Sequence, residues 1–160
     1  MGFLKALEAA TATVGADNMI EPKAAKELLD ANSDALLLDV QDPGSDSIPG
    51  AYNASLGTLV FKASQDLADF KGEPAERPSS TPTTPPAHRV HTTCAPCRQP
   101  TGAPAAADPK IADRAKDKLI VVTCALGGQA KLGAKVLVEY GFTNVKVVEG
   151  GCVAWKGAGL

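Results

Sequence analysis

The chain has 160 residues, a length typical of a single domain. Its net charge of −2 gives no electrostatic case for binding nucleic acid or an acidic membrane surface. No apolar run approaches the ~20 residues of a membrane span. Apolar residues make up 44% of the chain and aromatic residues only 4%, so we expect a core of Leu, Val, Ile and Ala.

Residues 1–17 are predicted to form an amphipathic helix ahead of the domain. Apolar residues recur there at helical spacing, at Phe3, Leu7, Ala10 and Val14. Charged residues between them exclude the unbroken apolar stretch of a secretory signal. We expect this helix to pack on the domain, and a partner-binding or targeting helix is the alternative. The cysteines are then expected to be reduced thiols in an intracellular compartment, either cytoplasmic, as we favour, or organellar.

Residues 18–160 alternate short apolar runs with helical patterns. Strands are predicted at 18–20, 35–40, 51–54, 119–123 and 144–148. Helices are predicted from Glu21, over 56–70, over 129–140 and around Trp155, which we expect in the core. The 56–70 helix offers five apolar residues for packing, Leu59, Phe61, Ala63, Leu67 and Phe70. This alternation predicts an α/β fold with a parallel sheet of about five strands flanked by helices.

A Pro-rich segment at 72–109 interrupts the domain and holds nine of the twelve prolines. It has almost no large apolar residues, so burial cannot offset the entropy of ordering it. We predict a disordered insertion. Joining Lys71 to Asp108 would leave a domain of ordinary length, so residues 72–107 are hypothesised to have no catalytic role.

Cys124 lies between a predicted buried strand and a predicted helix. The connecting loop runs through Ala125, Leu126, Gly127 and Gly128 to Gln129. Backbone N–H groups in such a loop can converge on one point, with the positive end of the helix behind them. The Cys124 thiol should therefore ionise more easily than a free thiol, whose pKa is about 8.5. Because the thiolate is the nucleophile, this residue predicts covalent chemistry.

Two further features are expected at the same edge of the sheet. Asp39 stands near the end of the 35–40 strand, and a Gly150-Gly151 turn follows the last strand. In parallel α/β sheets the ligand site lies beyond the carboxyl ends of the strands. Asp39 is expected mainly to order its loop by accepting backbone N–H bonds, with direct catalysis as the alternative.

These landmarks, in this order, resemble a single rhodanese-like domain. Four segments carry the resemblance: Leu37–Val40, Ile48–Asn53, Cys124–Gln129 and Glu149–Trp155 with Gly159-Leu160. The second is similar to the family's His-Ile-Pro-Gly-Ala-x-Asn segment, the third to its six-residue Cys-x-x-Gly-x-Arg loop, and the fourth to its Gly-Gly-x-x-x-Trp ending.

The resemblance implies a sulfurtransferase that needs neither a metal nor an organic cofactor. Cys124 would accept sulfane sulfur from thiosulfate or a persulfide and pass it to a thiol, cyanide or a protein. The N–H groups of residues 125–129 would hold the persulfide sulfur and an oxyanion. Gly127 and Gly128 would permit a turn that needs positive φ.

The sequence departs from the family pattern around this loop. Gln129 stands where the family usually has Arg, Gln41 stands where Arg usually follows Asp-Val, and Ser47 replaces a common His. A neutral loop favours a persulfide carrier over a thiosulfate enzyme. Two alternatives remain open, a catalytically weak or inactive binding module and a phosphatase or arsenate reductase. The short loop and the missing Arg weigh against the latter pair.

The other cysteines allow further roles. Cys152 follows the Gly-Gly turn and is expected to be a buried small residue at a helix start, with a resolving partner for Cys124 as the alternative. His91, Cys94 and Cys97 spell His-x-x-Cys-x-x-Cys, which suits zinc or redox exchange, with His88 as the nearest fourth ligand. We expect incidental cysteines there and no metal site.

Overall fold

The structure, a computed structural model, describes residues 2–66 and 107–160. The strands are β1 Met19–Ile20, β2 Leu36–Asp39, β3 Tyr52–Asn53, β4 Ile120–Thr123 and β5 Val145–Val148. The helices are α1 Phe3–Val14, α2 Pro22–Ala31, α3 Leu56–Lys62, α4 Pro109–Ala112, α5 Gly128–Glu139 and α6 Gly151–Gly157. A 3-10 turn, Ala16–Asn18, joins α1 to β1.

The five strands form one parallel sheet in the order β1-β5-β4-β2-β3. All four residues of β4, the central strand, are buried, because their side chains, three of them apolar, are covered on both faces of the sheet. In the register between β2 and β4, Asp39 lies beside Thr123, the residue before Cys124. The predicted α/β fold with a five-stranded parallel sheet is therefore confirmed.

Helices cover both faces of the sheet and form two apolar cores. One face packs against α1, α3, α4 and α5, with Leu59, Ile111 and Leu137 fully buried. The other face packs against α2 and α6 and encloses Ala25 and Trp155. Trp155 is buried as the sequence predicted. The N-terminal helix also packs as predicted: α1 lies along α5 and buries Ala10 and Val14.

The prediction of a helix over 56–70 is wrong about where the helix ends and about one of its packing residues. Helix α3 ends at Lys62, and the side chain of Ser64 donates a hydrogen bond to Asp66 just after it. Such local side-chain bonds compete with helix continuation. Phe61, expected in the core, is 48% exposed. Residues 67–70 lie outside the described part of the chain.

Hydrogen bonds join the described residues on either side of 67–106. The backbone N–H of Asp108 donates to the carbonyl of Lys62 across 3.0 Å, and the Gln65 amide donates to the carbonyl of Ala112 across 2.6 Å. Asp108 caps α4, and Pro109 occupies its first turn. Helix α4 thus begins at Pro109, the last residue of the predicted insertion. The rest of the predicted insertion lies outside the described residues.

Within residues 2–66 and 107–160, no helix is both long and apolar enough to cross a membrane.

Candidate active site

Cys124 lies directly after the central strand and is only 2% exposed. Two backbone N–H groups point at its Sγ: Gly127 N lies 3.1 Å from the sulfur and Ala130 N lies 3.4 Å from it. Two converging donors form an anion-binding cradle around the sulfur. The two N–H groups can therefore stabilise negative charge on the sulfur.

The loop geometry depends on a glycine at position 127. Gly127 has φ +89°, in the left-handed region, and precedes the first residue of α5. A Cβ at this position would also lie 3.2 Å from the backbone nitrogen of Gly150. Left-handed backbone next to a close chain favours glycine. The expectation that Gly128 also has positive φ is wrong, because α5 begins at Gly128 and this residue is already helical.

Sequence reasoning missed Ala130 as a donor. The N–H groups of residues 125–129 were expected to surround the sulfur, but among them the hydrogen bond to Sγ comes from Gly127. Ala130 lies in the first turn of α5, where backbone N–H groups have no partner within the helix. Its place in the first turn of the helix predicted over 129–140 is the signal that could have identified it, because the first four N–H groups of a helix are free to bind an anion. The positive end of α5 thus faces the thiol.

The Gly150-Gly151 turn holds the reactive loop from behind. The N–H of Cys152 donates to the carbonyl of Cys124 across 2.7 Å, and the N–H of Val153 donates to the carbonyl of Ala125 across 3.2 Å. Gly151 has φ +57°, and a Cβ there would lie 2.0 Å from the Cys124 carbonyl oxygen. The start of α6 can approach the loop this closely only because glycine has no side chain.

Asp39 is fully buried at the end of β2 and binds Gln41. Its Oδ1 accepts the backbone N–H of Gln41 at 3.0 Å, and its Oδ2 accepts the Gln41 side-chain amide at 3.2 Å. That amide also lies 3.2 Å from the carbonyl of Asp46 and 3.5 Å from the Sγ of Cys152. Asp39 thus accepts a backbone N–H as expected, and Gln41 connects the end of β2 to the start of α6.

Cys152 is buried at the start of α6, as the sequence predicted. Burial raises the pKa of its thiol, and a 3.9 Å contact with the Thr123 hydroxyl counteracts part of that effect. Cys124 belongs to the core that includes α5, whereas Cys152 belongs to the core that includes Trp155. Both thiols are free. The two thiols belong to different cores, and Cys152 as a resolving partner for Cys124 stays an alternative prediction.

The described residues contain no cluster of three or more His, Cys, Asp or Glu side chains able to hold a metal ion. His88, His91, Cys94 and Cys97 lie outside those residues, so the expectation for them stays a prediction.

Comparison with known proteins agrees with the fold. A family model described as the Rhodanese-like domain matches residues 21–158. No curated protein matches the chain.

Solved structures with this fold include sulfurtransferases. A polysulfide-sulfur transferase homodimer from Wolinella succinogenes is 24% identical, with a TM-score of 0.52, 96% of this chain covered and 81% of that one. A human single-domain sulfurtransferase is 16% identical, with a TM-score of 0.52 and coverage of 88% and 96%. A protein of unknown function from Rhodopseudomonas palustris CGA009, described as a possible tyrosine phosphatase, is 22% identical, with a TM-score of 0.65 and coverage of 99% and 92%.

Proposed function

This chain belongs to the rhodanese-like domain family, and from that premise we propose that it transfers sulfane sulfur through a persulfide on Cys124. One observation carries the proposal: the Gly127 and Ala130 N–H groups both lie within hydrogen-bond distance of the Cys124 sulfur. Donors fixed by the backbone stabilise a sulfur anion without reorganising during the reaction. They would serve both the attacking thiolate and the persulfide.

The reaction would proceed in two transfers. The Cys124 thiolate attacks the outer sulfur of the donor, a sulfur–sulfur bond forms, and the leaving group departs with the electron pair of the broken bond. A thiol, cyanide or a protein nucleophile then takes the outer sulfur and restores the Cys124 thiolate. Residues 125–129 would surround the anion, and the Gly127 N–H would donate a hydrogen bond to it. Gly150 and Gly151 would support the loop.

The charge of the loop favours a persulfide donor over thiosulfate. Gln129 and its neighbours from Ala125 onward carry no charge. A charge-assisted hydrogen bond from Arg contributes about 1.5–3 kcal/mol, and a neutral loop lacks that contribution for a divalent anion. The same absence argues against phosphoryl transfer, which depends on cationic groups around the phosphate.

A binding or regulatory module is the second candidate. The observation that favours it is the low exposure of Cys124, 2%, within a loop that has no cation. Such a module would keep the rhodanese-like fold and bind a partner without accepting sulfur. An intracellular, cytoplasmic location stays a prediction from the sequence.

A single-turnover transfer assay tests the proposal. The protein is treated with glutathione persulfide or thiosulfate, freed of donor by gel filtration, and then mixed with cyanide. Thiocyanate should form in an amount close to one equivalent per protein after the persulfide donor, and less after thiosulfate. Cys124→Ser should form none, and Cys152→Ser should behave like the wild type. No thiocyanate from the wild-type protein with either donor would favour the binding module.

A further inference from the structure

Helix α1 lies outside the matched family region, yet its first residue reaches the reactive loop. The match covers residues 21–158, whereas α1 spans Phe3–Val14. A Cβ placed on Gly128 would lie 3.5 Å from the Cζ atom of the Phe3 ring. Gly128 directly follows Gly127, whose N–H contacts the Cys124 sulfur. The N-terminal helix therefore brings an aromatic ring to the loop that holds the thiol.

A second exposed apolar side chain lies on the loop itself. Leu126, between Cys124 and Gly127, is 72% exposed, and Phe3 is 61% exposed. We call Phe3 and Leu126 the apolar rim. Two exposed apolar side chains on the loop that holds the thiol offer a surface that an apolar ligand group can contact.

We propose that the apolar rim selects a small sulfur donor whose leaving group carries an uncharged apolar substituent. This inference rests on the persulfide chemistry proposed for Cys124. The two N–H donors at the sulfur can stabilise one negative charge. A divalent donor has a second negative charge, and residues 125–129 include no cation to bind it. A divalent anion beside the rim would lose water contacts that no protein cation replaces, which weakens its binding. An apolar substituent would bind more tightly there, because its contact with the rim removes apolar surface from water.

An organic thiosulfonate shows how such a donor would react. The Cys124 thiolate attacks the terminal sulfur, and the new sulfur–sulfur bond makes the persulfide. The bond between the terminal sulfur and the sulfonyl sulfur breaks, and its electron pair leaves with the organic sulfinate. The thiolate and the thiosulfonate bring two negative charges, and the persulfide and the sulfinate carry two away, so the step needs no external oxidant, reductant or proton.

Two donors that differ only in the substituent test the rim. Benzenethiosulfonate and methanethiosulfonate carry the same charge and the same reacting atoms, but one has a phenyl group and the other a methyl group. The second-order rate of Cys124 persulfide formation is measured with each donor, and the ratio of the two rates is compared among variants. Differences in intrinsic donor reactivity cancel in that comparison.

We expect the wild type to prefer benzenethiosulfonate. Phe3→Ala and Leu126→Ala should each lower the phenyl-to-methyl ratio by about threefold to tenfold, since each removes apolar area that the ring would cover. Phe61→Ala is the matched control, because Phe61 is also a half-exposed phenylalanine, at the end of α3. Its ratio should equal that of the wild type.

The outcomes separate the rim from the proposed function. If both donors form the persulfide and neither Phe3→Ala nor Leu126→Ala changes the ratio, the apolar rim is overturned and persulfide chemistry stands. If neither thiosulfonate adds sulfur to Cys124 but glutathione persulfide does, the rim is overturned and the proposed function stands. If none of the three donors adds sulfur, the proposed function is overturned together with the rim. Thermal unfolding of each variant shows whether it is folded, and Leu126→Ala leaves α1 intact should Phe3→Ala disturb that helix.

Discussion

The backbone N–H of Cys152 donates a hydrogen bond to the carbonyl oxygen of Cys124 across 2.7 Å. The C=O and N–H of a trans peptide point to opposite sides. Because the Cys124 carbonyl points at α6, the N–H of Ala125 in the same peptide points away from it. The bond from Val153 to the carbonyl of Ala125 does the same for the next peptide. The start of α6 thus orients the loop whose other side surrounds the thiol.

The substitution Gly151→Ala should disrupt this support. Its Cβ would lie 2.0 Å from the Cys124 carbonyl oxygen, and the backbone has φ +57°. We expect the free energy of unfolding to fall by about 2–5 kcal/mol, together with slower persulfide formation. Gly157→Ala in the same helix is the control, since a Cβ there meets no atom within 4 Å, and its stability should change by less than about 1 kcal/mol. Equal urea midpoints for the two variants would contradict the close packing.

Substitutions of Asp39 separate a structural role from a catalytic one. Asp39→Ala leaves the buried N–H of Gln41 without its acceptor, which should cost about 1–3 kcal/mol of unfolding free energy. Asp39→Asn keeps an acceptor oxygen and should be destabilised less. Both effects are measured by urea unfolding. We expect Asp39→Asn to form the Cys124 persulfide at nearly the wild-type rate per folded molecule. A stable Asp39→Asn protein that forms no persulfide would assign the carboxylate a direct catalytic role.

Replacing residues 67–106 with a short Gly-Ser linker should preserve the fold. The hydrogen bond from Asp108 to the carbonyl of Lys62 joins the residues on either side of this segment, and the five strands of the described sheet all lie outside it. Loop-closure entropy changes by about 0.6 kcal/mol for each halving of loop length, so the shortened protein should be more stable than the full chain by about 1–2 kcal/mol. Thermal unfolding and the thiocyanate assay are run on both proteins. Loss of the cooperative transition in the shortened protein would refute the prediction.

Tyr52 should make stability depend on pH in the alkaline range. Its hydroxyl donates to the Asp108 carboxylate, and this bond, together with burial, raises the pKa of Tyr52 from 10.0 to about 12. Folding therefore favours the neutral phenol, and the resulting stability is fully present below pH 10. It is lost as pH rises toward 12.

The comparison with Tyr52→Phe isolates that contribution. Urea unfolding of both proteins is measured from about pH 8 to about pH 12. The stability advantage of the wild type over Tyr52→Phe should be constant up to about pH 10 and then shrink. An advantage that stays constant across the whole range would show that the Tyr52–Asp108 bond does not couple folding to this titration.

Continuous apolar runs made the sheet predictable. The runs ending at Asp39 and Thr123 form neighbouring strands, the first buried at its end and the second along its whole length. Their alternation with helical patterns along the chain indicated parallel pairing. Periodicity was less reliable at helix ends. The pattern over 56–70 placed Phe61 in the core, but this side chain is half exposed. Periodicity identifies an apolar helix face without showing which part of that face a neighbouring element covers.

The site could be predicted only where its signal is local. Cys124 and Gly127 stand in one short loop, so spacing identified both. The contact between Gln41 and Cys152 joins residues 111 positions apart. The approach of Phe3 to Gly128 likewise depends on how α1 packs along α5. Neither relationship has a signature in the linear sequence, because both arise from tertiary packing.

The central claim is that Cys124 accepts sulfane sulfur. Intact mass spectrometry after treatment with glutathione persulfide, thiosulfate or benzenethiosulfonate, followed by peptide mapping, tests it most directly. We predict a mass increase of about 32 Da on the peptide containing Cys124, in the wild type and in Cys152→Ser but not in Cys124→Ser. A wild-type protein that gains no sulfur at Cys124 from any of the three donors would contradict the account.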